Sequence, residues 1–164
     1  ECAKKIQSNI YINVQGDEPI FDKNDIKVFI KNALKYPDEI LNGYAEIKSE
    51  KDFRNHHIPK VVINEQKKLL YMSRGSIPNN KSNMFKKSWR QVCIYSFPKS
   101  SLVKFKKNQK KTRLEKIEDI EILRFLEMGY SIRMIHLSSN SISVDVPKDL
   151  IKVEKIIKSK RDGF

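Results

Sequence analysis

The chain has 164 residues, 39% of them hydrophobic, and its 33 Lys and Arg against 20 Asp and Glu give a formal net charge of +13. That length suits a single domain with one ordinary core, and no apolar run approaches the roughly 18 residues that a membrane-spanning helix needs. The polar opening with Glu1, Lys4 and Lys5 has no signal-peptide core, and Cys2 and Cys93 lack a CxxC spacing, so a reduced, cytoplasmic protein is expected.

Residues 8–15, rich in Ile, Tyr and Val, read as a buried strand that stops at Gly16. A helix is predicted over 22–36 from the i, i+3, i+4, i+7, i+8 pattern of Ile26, Phe29, Ile30, Ala33 and Leu34. Asp22 suits its N-cap and Asp25 its N3 position, and Pro37 closes it. Strands follow at 41–47, 60–64 and 68–73, the last two joined by a Glu65-Gln66-Lys67 turn, and then at 90–97. The polar stretch 75–88 between them is the one long loop. A short helix is expected at 99–106. A strong one at 113–128 rests on Leu114, Ile117, Ile120, Ile122, Leu123 and Leu126 and ends at Gly129. A strand at 131–137 and a helix at 147–158, opened by Pro147, complete the chain. Helices alternating with apolar strands predict an α/β domain with a largely parallel sheet.

The charge excess gathers in KFKKNQKKTR, Lys104 to Arg113, with six basic residues. Phe105 is the sole aromatic among them, the acidic LEKIEDIE follows at once, and no nucleic-acid-binding or zinc signature appears. The run therefore reads as a solvated helix end and loop, with a polyanion-facing role as the alternative. His56 and His57 are adjacent and predicted to point apart, a poor metal pair. His136 reads as a structural residue, Cys93 as buried and inert, and Trp89 with Phe85 as part of a subunit contact.

In parallel sheets ligands bind beyond the carboxyl ends of strands, so Asp17 and Glu18, just past the first strand, face a crevice or cap the following helix. Four further segments bear on that choice. VQGDEP (14–19), YMSRGSIP (71–78), QVCIYSF (91–97), LEKIEDIEILR (114–124) and VDVPKDL (144–150) occur in this order. Together they resemble the CMP-Kdo synthetase family, the 3-deoxy-manno-octulosonate cytidylyltransferases, over roughly residues 8–158.

The resemblance implies a Rossmann-like nucleotide-diphospho-sugar transferase fold with a mixed, mainly parallel sheet. It also implies a magnesium-dependent cytidylyltransferase. CTP and a 3-deoxy-2-ulosonic acid, Kdo or a relative, would give a CMP-sugar and pyrophosphate for lipopolysaccharide or capsule-type glycans. Asp17 and Asp145 match the family's magnesium ligands, an oxygen donor set that this ion prefers. Arg74 matches an arginine that grips the ulosonate carboxylate with two hydrogen bonds. Gln15 matches a substrate-contacting glutamine, and Tyr95 and Glu115 fall at sugar-hydroxyl contacts. Each has a plainer reading: Asp145 as a helix-entry residue, Arg74 as a loop arginine, Gln15 as a strand-end cap. Tyr95 reads equally as a core aromatic, and Glu115 as an acid favoured at a helix N-terminus. A homodimer is implied, and no membrane partner.

Three departures stand out. Gln91 replaces a sugar-contacting histidine, Ile122 replaces a glutamine, and Val146 replaces a threonine whose N-cap hydroxyl contributes about 1 kcal/mol; Asp149 at N3 offsets part of that loss. The family's glycine- and basic-rich triphosphate loop has no counterpart here, so the chain is expected to be the C-terminal two-thirds of a longer polypeptide. The rival reading is a non-catalytic, basic nucleic-acid-binding protein on a transferase-like fold.

Overall fold

A computed structural model describes residues 2–108, 110–144 and 147–161. The elements run α1 (Cys2–Lys5), β1 (Ile10–Val14), α2 (Lys23–Lys35), β2 (Ile40–Glu46), α3 (Glu50–Arg54), β3 (Lys60–Ile63) and β4 (Leu69–Ser73). They continue with β5 (Trp89–Pro98), α4 (Lys99–Lys107), α5 (Arg113–Glu118), α6 (Ile122–Glu127), β6 (Ile132–His136) and α7 (Pro147–Arg161). The α/β class is as expected; α1 and α3 are too short to leave a periodic signal.

The described strands form one sheet ordered β4-β3-β5-β2-β6, with β1 also paired to β5. The expected preponderance of parallel pairs is wrong. β1–β5, β2–β5, β3–β4 and β3–β5 are antiparallel, and β2–β6 alone is parallel. The reason lies in the connections. The turn between β3 and β4 carries no helix, since an antiparallel hairpin needs no crossover. The helix-free loop after β4 leads to β5, which runs the same way as β4 but on the far side of the opposing β3. Where α2 does link β1 to β2, the two strands run the same way but flank β5, which opposes both.

β2 and β6 send apolar residues to both faces of the sheet because both faces are covered. Ile40, Tyr44, Ile132 and Met134 pack on one side with Leu123 and Phe125, and Leu41, Ala45, Ile135 and Leu137 on the other with Phe29 and Ala33 of α2. Helix α2 is capped as predicted, with Asp22 Oδ1 accepting from the Asn24 N–H at 2.7 Å. Its buried stripe is narrower than predicted, however, since Ile30 and Leu34 are exposed. β1 is likewise not a buried strand. Among the described residues it pairs only with β5, and Ile12 and Val14 stay exposed.

The predicted helix 113–128 is two helices. Asp119 takes a left-handed conformation (φ 51, ψ 49) between α5 and α6. Arg74 supplies the cause: its Nε donates to the Glu118 carbonyl at 2.7 Å and its Nη2 to the Asp119 carbonyl at 3.2 Å. An unbroken helix would have given those carbonyls to its own next turn. Gly129 ends α6 with φ 81, as its type suggests.

A buried ion pair ties the two helices together. Arg124 donates from Nε to Glu115 Oε2 at 2.6 Å and from Nη2 to Glu115 Oε1 at 2.5 Å, while lying over the Phe105 ring of α4. The same carboxylate accepts from the Thr112 N–H, closing a capping box. The Arg124 hydrogen bonds hold the Glu115 carboxyl below the usual 4.5 despite its burial. Its stabilising contribution is therefore present above that value and lost as pH falls through the lower, folded one. Glu115→Gln strips the charge but keeps the shape, leaving Arg124 buried without a counter-ion, which costs about 3–5 kcal/mol. Urea unfolding at pH 7 should show that loss, and the gap to the unsubstituted protein should narrow as pH drops below the ordinary glutamate range.

Candidate active site

β5 carries the site because its one edge serves two strands. β3 pairs with Trp89 and Arg90, and β1 pairs with Ile94 to Pro98, so Gln91 to Cys93 face a gap. Non-strand groups fill it. The Gln91 N–H donates to the Pro59 carbonyl, and the Gln15 N–H donates to the Cys93 carbonyl. The Cys93 N–H donates to the side chain of Glu18, at 2.9 Å from Oε1. A cleft of about 520 Å³ opens along this gap, and Gln15, Asp17, Arg74, Gln91 and Tyr95 all line it.

The two readings of Asp17 and Glu18 separate here. Asp22 caps α2, and Glu18 is buried in the gap of β5 beside Arg90, whose Nη1 lies 4.0 Å from it. Glu18 Oε2 is buried and has no hydrogen-bond partner among the described residues. Asp17, by contrast, is exposed on the cleft wall. Its carbonyl accepts from the Val144 N–H at 2.8 Å, and Ile20 bridges Ile142. The VQGDEP segment thus meets the strand-like segment that precedes Asp145 in the sequence. Asp145 and Val146 themselves lie outside the described residues.

Arg74 reaches the cleft under restraint. Besides the Glu118 and Asp119 carbonyls it donates to the His56 carbonyl, committing three of the guanidinium's five N–H groups. Glu118 accepts in return from the Arg74 N–H and from Tyr71. Burial opposes its charge, but hydrogen bonds from Ser73, Arg74 and Tyr71 hold its carboxyl below the usual range. Gln91 is buried and donates to Asn42 and Tyr95, and burial pushes the Tyr95 phenol far above its ordinary range. Glu115 is not brought to this cleft; both its oxygens are spent on Arg124.

With this geometry in place, the chain's likeness to known proteins becomes informative. Residues 1–135 match the Cytidylyltransferase family. The chain belongs to that family.

Relatives sharpen the placement of this cytidylyltransferase-family chain. It is 33% identical to a 3-deoxy-manno-octulosonate cytidylyltransferase of Christiangramia forsetii over 96% of this chain and 64% of the relative. It is 35% identical to one of Geotalea daltonii over 98% and 68%. The solved structure of CMP:2-keto-3-deoxy-manno-octonic acid synthetase complexed with CTP superposes with TM-score 0.86 at 26% identity, over 97% of this chain and 66% of that one. A putative glucose-1-phosphate thymidylyltransferase from Bacillus anthracis (TM-score 0.63, 14% identity, 94% and 57% covered) shares the fold. The nucleotide-diphospho-sugar transferase fold is therefore established, and the chain spans about two-thirds of the length of such relatives.

The histidine pair and Cys93 behave differently from their sequence readings. The His56 and His57 rings do not point apart; they lie 4.2 Å apart, because the segment is a turn rather than a strand or helix. Among the described residues no group of three or more His, Cys, Asp or Glu is set to hold a metal. Cys93 is half-buried and lines the cleft rather than sitting in the core. Trp89 packs edge-on against Tyr44 and His136, and Phe85 packs on Phe53. In the basic run, Lys104 lies over the Tyr130 ring and exposed Lys111 pairs with Asp119, as a solvated helix end would. Among the described residues no helix is long and apolar enough to cross a membrane.

Sequence reasoning passed over Lys60 entirely. It is fully buried at the start of β3, and its Nζ donates to the carbonyls of Asn55 (2.8 Å), Ile58 (2.7 Å) and Arg74 (2.7 Å). One ammonium thereby fastens the 55–58 turn to the Arg74 segment, and both border the cleft. Burial, with help from the Arg74 charge, pushes its pKa down to about 8 from the usual 10.5. The folded protein binds fewer protons than the unfolded chain across that window, so this group's contribution to stability rises as pH climbs from about 8 toward 10.5. Lys60→Met should lower stability at pH 7, since each buried carbonyl left unpaired costs about 1–3 kcal/mol. Chemical unfolding at pH 7 and 9.5 should also show the substitution removing part of the pH-dependent rise.

Proposed function

We propose that the protein carrying this chain is a magnesium-dependent cytidylyltransferase that joins CTP to a 3-deoxy-2-ulosonic acid, Kdo or a close relative. The observation that carries the reading is one cleft that gathers Gln15, Asp17, Arg74, Gln91 and Tyr95 in a chain of this family. The names of its relatives and the CTP in the structural neighbour support the same substrates. In the reaction the anomeric hydroxyl oxygen of the sugar acid forms a bond to the α-phosphorus of CTP. The hydroxyl gives up its proton to water, the bond from that phosphorus to the bridging oxygen breaks, and pyrophosphate leaves with the electron pair.

Asp17 and Asp145 are the residues that would hold the metal. The fit rests on Asp17, an exposed carboxylate on the cleft wall whose backbone is bonded to Val144. Magnesium asks for one or two carboxylates, with phosphate and water oxygens completing its shell, so no larger protein cluster is needed. When bound it neutralises charge that develops on the transferring phosphoryl group. Arg74 binds the sugar carboxylate with its two uncommitted N–H groups, and Gln15, Gln91 and Tyr95 orient the sugar. The product would enter lipopolysaccharide or capsule-type glycans, made in the cytoplasm by a homodimer.

The test is pyrophosphate release by the complete protein. Asp17→Asn should lower turnover at saturating magnesium by about 100-fold or more, the scale of removing a charge-stabilising group. Its melting temperature should hold, because Asp17 is exposed. Near-normal turnover would overturn the assignment. CTP with magnesium should also raise the melting temperature of the active protein, whereas a salt-sensitive rise with oligonucleotide in its place would favour the nucleic-acid rival.

A further inference from the structure

Asn42 occupies the middle of β2, where the register against β5 shifts, and it is fully buried. Its Nδ2 donates to two carbonyls of β5, Val92 at 3.1 Å and Ile94 at 2.9 Å. A carboxamide has two N–H hydrogens and one oxygen, so both hydrogens are committed to backbone and Oδ1 is left as an acceptor. Backbone carbonyls cannot reverse their polarity, which fixes the orientation of this amide. Gln91 Nε2 donates to that Oδ1 at 3.1 Å and to Tyr95 Oη at 3.0 Å. Both Gln91 hydrogens are thereby spent as well, and Oε1 remains. Tyr95 Oη is already an acceptor and keeps its own hydrogen to give. Both side chains line the cleft.

We propose that Asn42 is a positioning residue that sets the hydrogen-bond polarity of this wall, so that Gln91 Oε1 accepts from, and Tyr95 Oη donates to, one hydroxyl of the bound sugar acid. The inference rests on the cytidylyltransferase reading for the nature of the ligand, but the polarity itself follows from the backbone of β5. A hydroxyl matches because it both donates and accepts. A deoxy position leaves two buried polar groups unpaired, and an ammonium has no lone pair for the Tyr95 hydrogen. Burial reinforces the arrangement by keeping the phenol protonated. The site would therefore select a neutral hydroxyl over hydrogen or a charged amine at the position it contacts.

The experiment compares the complete protein with its Asn42→Ala and Gln91→Glu variants on a series of ulosonic acids, each with one hydroxyl replaced by hydrogen or an amine. Asn42→Ala releases the Gln91 amide to rotate, and Gln91→Glu keeps the shape while removing both donors. The unsubstituted protein should show one position at which the replacement lowers kcat/KM by at least about tenfold, because a site built for a hydrogen bond rejects the analogue that lacks it. In both variants that ratio should collapse, with the KM for CTP little changed. Retention of the ratio in both, or a parallel rise of the sugar and CTP KM values, would overturn the proposal. Where Asn42→Ala fails to fold, Gln91→Glu decides by the same ratio.

If the unsubstituted protein turns over no ulosonic acid, the functional reading fails instead. The polarity is then decided by side-chain amide NMR. The Gln91 Nε2 protons should exchange slowly with solvent in the unsubstituted protein and faster in Asn42→Ala, and equal exchange would overturn it.

Discussion

β5 must satisfy three neighbouring strands along ten residues, and the gap this leaves on one edge organises everything around the cleft. A backbone N–H left unpaired in a buried strand is costly, so the groups at Gln91 and Cys93 have to be met by something other than a strand. Pro59, Gln15 and Glu18 meet them. That requirement accounts for the acidic pair in VQGDEP: Glu18 turns inward to act as a surrogate strand partner, and its neighbour Asp17 is turned outward onto the cleft wall. The same gap turns Gln91, Cys93 and Tyr95 toward the cleft, while the alternate residues of the strand, Val92, Ile94 and Ser96, are buried.

Around that gap, buried and half-buried charges fasten loops that have no strand or helix of their own to hold them. Lys60 gathers three carbonyls, Arg74 gathers three more, and Glu118 accepts from Arg74 and Tyr71. Lys60 and Glu118 sit among partners that meet their hydrogen bonds, the condition under which burial of an ion is tolerated, and half-buried Arg74 keeps two N–H groups for the cleft. The break between α5 and α6 belongs to this network, since the carbonyls it frees are those that Arg74 binds. Glu39 plays a comparable role just ahead of β2, joining Lys68 and Arg133 in a partly exposed cluster. Gly43 is required for a different reason: a Cβ there would lie 2.7 Å from the Ile94 side chain and 2.8 Å from that of Leu137. The close passage of β2 over β5 beside Asn42 therefore admits no side chain.

The amino-acid sequence by itself determined where most elements lie, because periodicity and capping are local. Asp22, Pro37, Pro147 and Gly129 mark helix ends through their own backbone preferences, and β2, β5 and β6 read as apolar runs whatever their neighbours. Its motifs also sufficed to suggest the family. Only the tertiary structure decided strand direction, because apolar content says nothing about which strand pairs with which, and β5 inserts between β1 and β2. Helix 113–128 is continuous in pattern, but Arg74, distant in sequence, offers its carbonyls better partners than the next turn would. Lys60, Glu18 and Asn42 look like surface residues by type. Their burial follows from hydrogen-bond partners as many as 75 positions away along the chain, which no local pattern encodes.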